Sequence, residues 1–337
     1  MNNEKLNAIL KSVSRSFYLS MRILPHSMRQ SISLAYLLAR AADSIADEKQ
    51  MSRELRESLL HRFRCLVLMN FDDKSYGQLR TSLSTQLEHN HEIELIHSLK
   101  TIFLLVESLP RNDYLAVMHV IDILTRGMQL DLATFSSSSA IIALDDQKAL
   151  ETYTYYVAGC VGEFWTRQSI CHVSAMSHWD DAKFNTLGIE FGKALQLTNI
   201  VRDIAKDAEL GRCYLPKTWL NEHSLSSNDL LTPANNEKFR PVTQKAIAQA
   251  LAYFDSAEQY LLAIPRSQIR LRLAALWPIF IGLKTLELVT HKANFLDSRL
   301  TIKVSRKWIY RLLLSSVFIV HSNTLIKNQI TRLRENI

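Results

Sequence analysis

Apolar residues recur at three- and four-residue intervals through most of the chain, the repeat of helices that bury one face rather than the alternation of strands. Pro25 marks a break before a helix that runs through Tyr36 to about Glu48, and Arg53 to Asn70 forms an amphipathic helix after it. The polar stretch Asp72-Asp-Lys-Ser-Tyr-Gly77 reads as a loop, followed by helices from about Tyr76 to Glu88 and from Ile93 to Ser108. Asn112 caps a long helix to about Met128 or Asp131, Ser136-Ser-Ser-Ser139 is a loop, and Asp146 caps the next segment. From Leu150 to Cys171 a broad apolar stripe carries Ala158, Gly159 and Gly162 beside it, small residues that either let helices pack tightly or clear room for a long apolar ligand. Asp180 to about Leu210 is helical and ends near Gly211; Gly211-Arg-Cys-Tyr-Leu-Pro216 reads as a loop and Ser224 to Pro241 as irregular. Thr243 to Ala263 and Arg270 to His291 complete the long helices, the second kinked at Pro278.

Eight glycines and seven prolines are few for 337 residues, and neither the turn spacing of a β-sandwich nor a strand–helix alternation is present. The expectation is an all-α protein, one domain over residues 1–337 with roughly a dozen helices. The run Leu312 to Val320 is about half of the ~20 residues a spanning helix needs, so it reads as a core helix or a peripheral contact.

The formal charge of +7 comes from scattered basic residues without the concentrated stripe of a nucleic-acid binder. It suits an enzyme acting on anionic substrates, beside an anionic membrane. Cys65, Cys160, Cys171 and Cys213 lack metal-ligand spacing and read as buried or reduced thiols. The polar N-terminus argues against export, so a cytoplasmic location is expected, with peripheral contact at the inner membrane face for product release. The sequence sets no oligomeric state.

Two acidic pairs carry the chemistry. Asp43-Ser-Ile-Ala-Asp47 and Asp203-Ile-Ala-Lys-Asp207 share one spacing, which on a helix projects both carboxylates from one face, a turn apart. Mg²⁺ keeps several waters and joins one or two carboxylates to substrate phosphates, so two such faces opposed across a helical bundle would hold a metal-bound diphosphate. Asn199, Asp203 and Asp207 repeat every four residues as three oxygen donors, with Gln196 near the same face. Arg40 and Arg202 supply guanidinium groups that match phosphate oxygens in pairs.

These segments, taken in order, resemble the head-to-head prenyl synthases, the family of squalene and phytoene synthases. Ser14-Arg-Ser-Phe17 with Leu24-Pro25 is similar to the family's opening substrate motif, and Tyr36 to Asp47 contains its first aspartate-rich motif. Tyr153-Thr-Tyr-Tyr156-Val-Ala-Gly-Cys-Val-Gly162 resembles its tyrosine helix, and Gln196 to Asp207, continued to Pro216, its second signature. Lys206 departs from the acidic residue often found there, but it points about 100° away from Asp207.

The resemblance implies an isoprenoid synthase fold around an apolar cavity, with Mg²⁺ held by Asp43, Asp47, Asn199, Asp203 and Asp207. It implies that Ser14, Arg15, Ser16, Arg40, Arg202 and Arg212 grip diphosphate, that Phe17, Tyr36, Gln196 and Tyr214 belong to the substrate site, and that Tyr156 is the catalytic tyrosine. The expected reaction joins two farnesyl diphosphates through presqualene diphosphate to squalene, with reduction by NADPH. Trp277 to Leu286 looks like the squalene-forming branch, and Lys303, Arg306 and Lys307 are candidates for the NADPH 2′-phosphate. Dehydrosqualene, presqualene diphosphate or phytoene are the alternative products. A non-catalytic helical assembly protein would show broken motifs, and a di-metal oxidase would need paired Glu-x-x-His; neither pattern occurs, and His89-Asn-His91-Glu92 reads as a polar helix end.

Overall fold

The computed structural model describes residues 3–14, 21, 23–69, 71–87, 89–135 and 140–337, without the side chains of 3–7 and 14. The all-α expectation holds, and the backbone falls into two compact units: Met1–Ala133 with Arg167–Ser174, and Thr134–Thr166 with Ala175–Ile337.

The first unit contains α1 (Asn3–Ser14), α2 (His26–Ala46), α3 (Arg53–Leu68), α4 (Asp73–Ser84), α5 (Asn90–Glu107) and α6 (Arg111–Thr134). Leu34, Leu37, Leu38, Ala41, Ala42 and Ile45 place a continuous apolar face of α2 against α5 and α3, all six at most 5% exposed or fully buried. The expected loop at 72–77 is instead the start of α4. Asp72 caps it by accepting the Ser75 amide at 2.8 Å, a stronger local signal than the polarity of the stretch. Likewise α6 begins before Asn112, its first turn closed by the Tyr114 amide donating to the Pro110 carbonyl, and it continues to Thr134.

The second unit holds β1 (Ile142–Leu144), α7 (Gln147–Thr154), a π-helical segment (Tyr155–Gly159), the start of α8 (Cys160–His172), α9 (Asp181–Glu209) and β2 (Arg212–Pro216). It continues with α10 (Lys217–Asn221), α11 (Asn236–Ala263), α12 (Ile269–Thr290), α13 (Arg306–Ile319) and α14 (Asn323–Arg334). Where a loop was expected after Gly211, β2 pairs in parallel with β1, Ile142 opposite Arg212 and Ala143 opposite Cys213. Gly211, at φ 76°, turns the chain out of α9 into this strand. The expected irregular stretch from Ser224 contains two short 3-10 turns and gives way to α11 at Asn236, ahead of Pro241.

Glycines decide how α8 and α9 meet. A Cβ on Gly162 would lie 1.8 Å from the Gly188 carbonyl oxygen, and one on Gly192 would lie 2.2 Å from that of Ala158. Backbone thus rests on backbone, and of the two readings of these small residues it is tight packing that the structure shows at Gly162. Helix α12 is long and apolar enough to cross a membrane by length and composition, yet 56% of that stretch is buried within the unit, where α11, α13 and α14 pack on it. It carries the fully buried Arg272, whose guanidinium donates to the Ile264 and Val320 carbonyls and to Asn323 Oδ1. All four cysteines are free; Cys160 and Cys213 are buried, and burial pushes both thiols up to about 12, whereas Cys171 is exposed.

Candidate functional site

In the first unit the core face of α2 leaves Tyr36, Arg40, Asp43 and Asp47 in phase on the opposite side. Asp43 lies in the last turn, and Asp47 is the residue that closes the helix, its amide donating to the Asp43 carbonyl at 2.9 Å. Arg40, Asp43 and Asp47 line a pocket of about 370 Å³ together with Glu48, His89 and Glu92. Tyr36 anchors the far end of the stripe by donating to the Val13 carbonyl at 3.3 Å.

The electrostatics of this pocket are strained. Arg40 binds Asp43 through one guanidinium nitrogen and Glu92 through another, the latter at 2.5 Å. Burial opposes the Arg40 charge, but Asp43 and Glu92 outweigh it and hold the guanidinium above its ordinary value. The Asp43 side chain keeps 40% of its surface open to solvent, yet its carboxyl sits within the pocket wall. Desolvation first, and the Asp47 carboxylate second, push it up to about 6 against the pull of Arg40. A buried carboxyl held back from ionising by a neighbouring carboxylate is a donor that a hard divalent cation relieves, so Asp43 beside Asp47 fits Mg²⁺. Among the described residues no three His, Cys, Asp or Glu form a ready cage, and an ion shared between two carboxylates, waters and phosphates needs none.

Glu92 is the residue that sequence reasoning missed. The segment His89 to Glu92 does begin a helix, but Glu92 is in phase with Leu95, Ile96 and Leu99 on the buried face of α5, and its side chain is 9% exposed. A carboxylate in register with a core stripe was the available signal.

In the second unit α9 repeats the design. Leu197, Ile200, Val201, Ile204 and Ala208 are buried, while Gln196, Asn199, Asp203 and Asp207 follow one another along the open side and Lys206 is exposed. Arg202 folds back on its neighbour, its Nε donating to both Asp203 oxygens at 3.1 Å. Arg212 opens β2, one residue after the turn that ends α9, and Tyr214 is buried, stacked on Tyr153 with ring centroids 4.6 Å apart.

Tyr156 lies in the π-helical segment, which the sequence pattern did not disclose. Such single-turn insertions interrupt the regular hydrogen-bond ladder and concentrate at functional positions. Here it leaves Tyr155, Tyr156, Val157 and Ala158 half-open, next to Val161 at 38% exposed. The Tyr155 hydroxyl donates to Glu163 at 3.1 Å, and the Tyr156 ring leans on that of Tyr155, centroids 5.9 Å apart. Lys303, Arg306 and Lys307 are all exposed around the start of α13. The side chain of Ser14 and residues Arg15, Ser16 and Phe17 lie outside the described residues.

Residues 10–306 match the family described as squalene/phytoene synthase. A bifunctional lycopene cyclase/phytoene synthase of Colletotrichum graminicola is 32% identical over 261 residues, 77% of this chain and 42% of that protein, so the chain spans about two-fifths of its length. A 15-cis-phytoene synthase of Synechocystis sp. is 26% identical over 306 residues, covering 88% of this chain and 79% of that one. Among solved structures, TcSQS in complex with a ligand superposes with a TM-score of 0.73 at 19% identity, over 99% of this chain and 96% of its own, a likeness of fold.

Proposed function

Since the chain belongs to the squalene/phytoene synthase family and has its isoprenoid synthase fold, we propose that it is a prenyltransferase condensing two prenyl diphosphates head to head with Mg²⁺. The observation that carries this reading is the strained pocket of α2, where Asp43 and Asp47 stand beside Arg40 and Asp43 is reluctant to ionise without a cation. When bound, Mg²⁺ supplies Lewis acidity that neutralises the departing diphosphate. Asp43 and Asp47 would hold such an ion on α2, and Asn199, Asp203 and Asp207 offer a second set of oxygen donors on α9.

Arg40, Arg202 and Arg212 would bind diphosphate oxygens and stabilise the charge that builds as the carbon–oxygen bond breaks. An allylic cation then meets the double bond of the second substrate. One carbon–carbon bond forms and leaves a tertiary cation; as a proton then leaves the joining carbon, its C–H electron pair closes a second carbon–carbon bond, and the cyclopropyl product of farnesyl diphosphate is presqualene diphosphate. The half-open Tyr156 hydroxyl is the group we assign to accept or relay that proton through a hydrogen bond. The partly exposed apolar side chains of Val157 and Val161 would help exclude water from the cation once prenyl chains cover them.

For the second half we favour squalene: Lys303, Arg306 and Lys307 would hold NADPH, which would supply hydride. The support is the Trp277 to Leu286 segment on α12 and the cations Lys303, Arg306 and Lys307. A non-reductive ending is the second reading, favoured by the phytoene synthase names of the curated relatives. Incubation with farnesyl diphosphate and Mg²⁺, with and without NADPH, and in parallel with geranylgeranyl diphosphate, separates them by product mass. Squalene only with NADPH supports the reductive reading, phytoene or dehydrosqualene the other, and no coupled product in any arm refutes both.

A further inference from the structure

Helix α13 is fastened on one side and bare on the other. Its inner face consists of Leu312 and Ser316, continued by Val320, at most 5% exposed. The Trp277 indole donates to Ser316 Oγ at 3.0 Å, and the buried Arg272 donates to the Val320 carbonyl at 2.8 Å. The outer face carries Tyr310, Leu314, Val317 and Phe318, exposed by 64, 72, 53 and 78%. At 100° per residue these four span an arc of about 100°, with Arg306 and Arg311 at its two edges. The patch is on the order of 500 Å², at the upper end for the surface of a monomer.

Charge tells what this face meets. Basic residues are spread along the chain, but their excess is not, which corrects the reading of scattered charge. Between Ser298 and Arg334 there are eight Lys and Arg and no Asp or Glu, leaving 32 basic against 33 acidic residues for the rest. Arg306, Lys307 and Arg311 are exposed and make no ion pair among the described residues. A second copy of the same face would bring these cations against their equals with no carboxylate to separate them, which is repulsive. An anionic bilayer offers both halves of the complement: headgroup charge for the cations and acyl chains for the apolar arc.

We propose that the outer face of α13 docks this protein in the plane of an anionic lipid surface, with Tyr310, Leu314, Val317 and Phe318 entering the headgroup boundary and Arg306, Lys307 and Arg311 at phosphate level. Arg306 and Lys307 are also the cations offered above for NADPH, so the test alters only the apolar arc and leaves both of them in place. The test is flotation of the full chain with vesicles of phosphatidylcholine alone and of an equal mixture with phosphatidylglycerol, at low and high salt. Wild type should bind the mixed vesicles about tenfold or more tightly than the neutral ones, and salt should weaken that binding. A Leu314→Glu, Phe318→Glu double variant should lose the binding by about tenfold or more, with its melting midpoint and its turnover in detergent unchanged. Equal vesicle binding by wild type and variant overturns the proposal. So does an absence of binding by wild type, or a dimer that the double variant dissociates without any vesicle binding by wild type.

Discussion

Replacing Asp43 by Asn is expected to move stability and turnover in opposite directions. Desolvation and the Asp47 charge raise the folded-state value of Asp43 to about 6, above that of an unfolded chain. The folded protein therefore holds this proton more tightly. The contribution is fully favourable below the ordinary carboxyl range and is lost as the pH rises through about 6, so that at mildly alkaline pH the ionised group works against the fold. At full weight the difference amounts to ~3 kcal/mol. With 40% of the side chain open to solvent, screening reduces this to about 1 kcal/mol. In a chain of this size that moves the melting midpoint by roughly 1–2 °C. The assay is calorimetry of metal-free wild type and Asp43→Asn, at one pH well above and one well below the Asp43 transition. The variant should melt higher in the first buffer, and the advantage should vanish in the second. Turnover with prenyl diphosphate and Mg²⁺ should fall by more than the ~10–100-fold loss typical of an outer-shell change. A lower midpoint at alkaline pH, or an equal gain in both buffers, would refute the account of the pocket given above.

Three further substitutions probe other parts of the molecule. Glu92→Gln removes one negative charge from the α2 pocket and should weaken Mg²⁺ binding by about 1 kcal/mol in titration calorimetry, and an unchanged affinity would show that Glu92 does not act on the site. Tyr156→Phe should slow formation of the cyclopropyl intermediate by roughly 10²–10⁴-fold in single-turnover experiments while the circular dichroism stays the same; a wild-type rate would discard its role in proton transfer. Arg272→Met leaves the Ile264 and Val320 carbonyls without their buried donor and should cost about 3 kcal/mol by urea denaturation, against a null effect if those hydrogen bonds contribute nothing.

How far the sequence could be read depended on whether each signal was local. The phase of Tyr36, Arg40, Asp43 and Asp47 against the apolar positions of α2 was visible because both stripes lie on one helix, and the same holds for Asn199, Asp203 and Asp207 on α9. Asp72 as a cap was also local, and was missed because polarity at 72–77 was weighed above capping chemistry. The pairing of β1 with β2 was not visible: three and five residues give too short a pattern, and their partners are some 70 positions apart in the chain. Glu92 reaches Arg40 from another helix, so periodicity revealed its burial but not its partner. The π-helical turn at Tyr155 to Gly159 leaves side-chain spacing almost untouched, which is why a repeat-based reading passes over it.

The contact between Gly162 and Gly188, with its companion between Ala158 and Gly192, brings backbone onto backbone and so helps set the rotational bearing of α9. Asp203 stands about three turns beyond Gly192 on the same rigid rod, so its compass heading is inherited from that seam. One added methyl at the seam would swivel the distant carboxylates while leaving every one of them chemically intact. Lesions of this kind would masquerade as faulty metal chemistry, although no ligand had been altered.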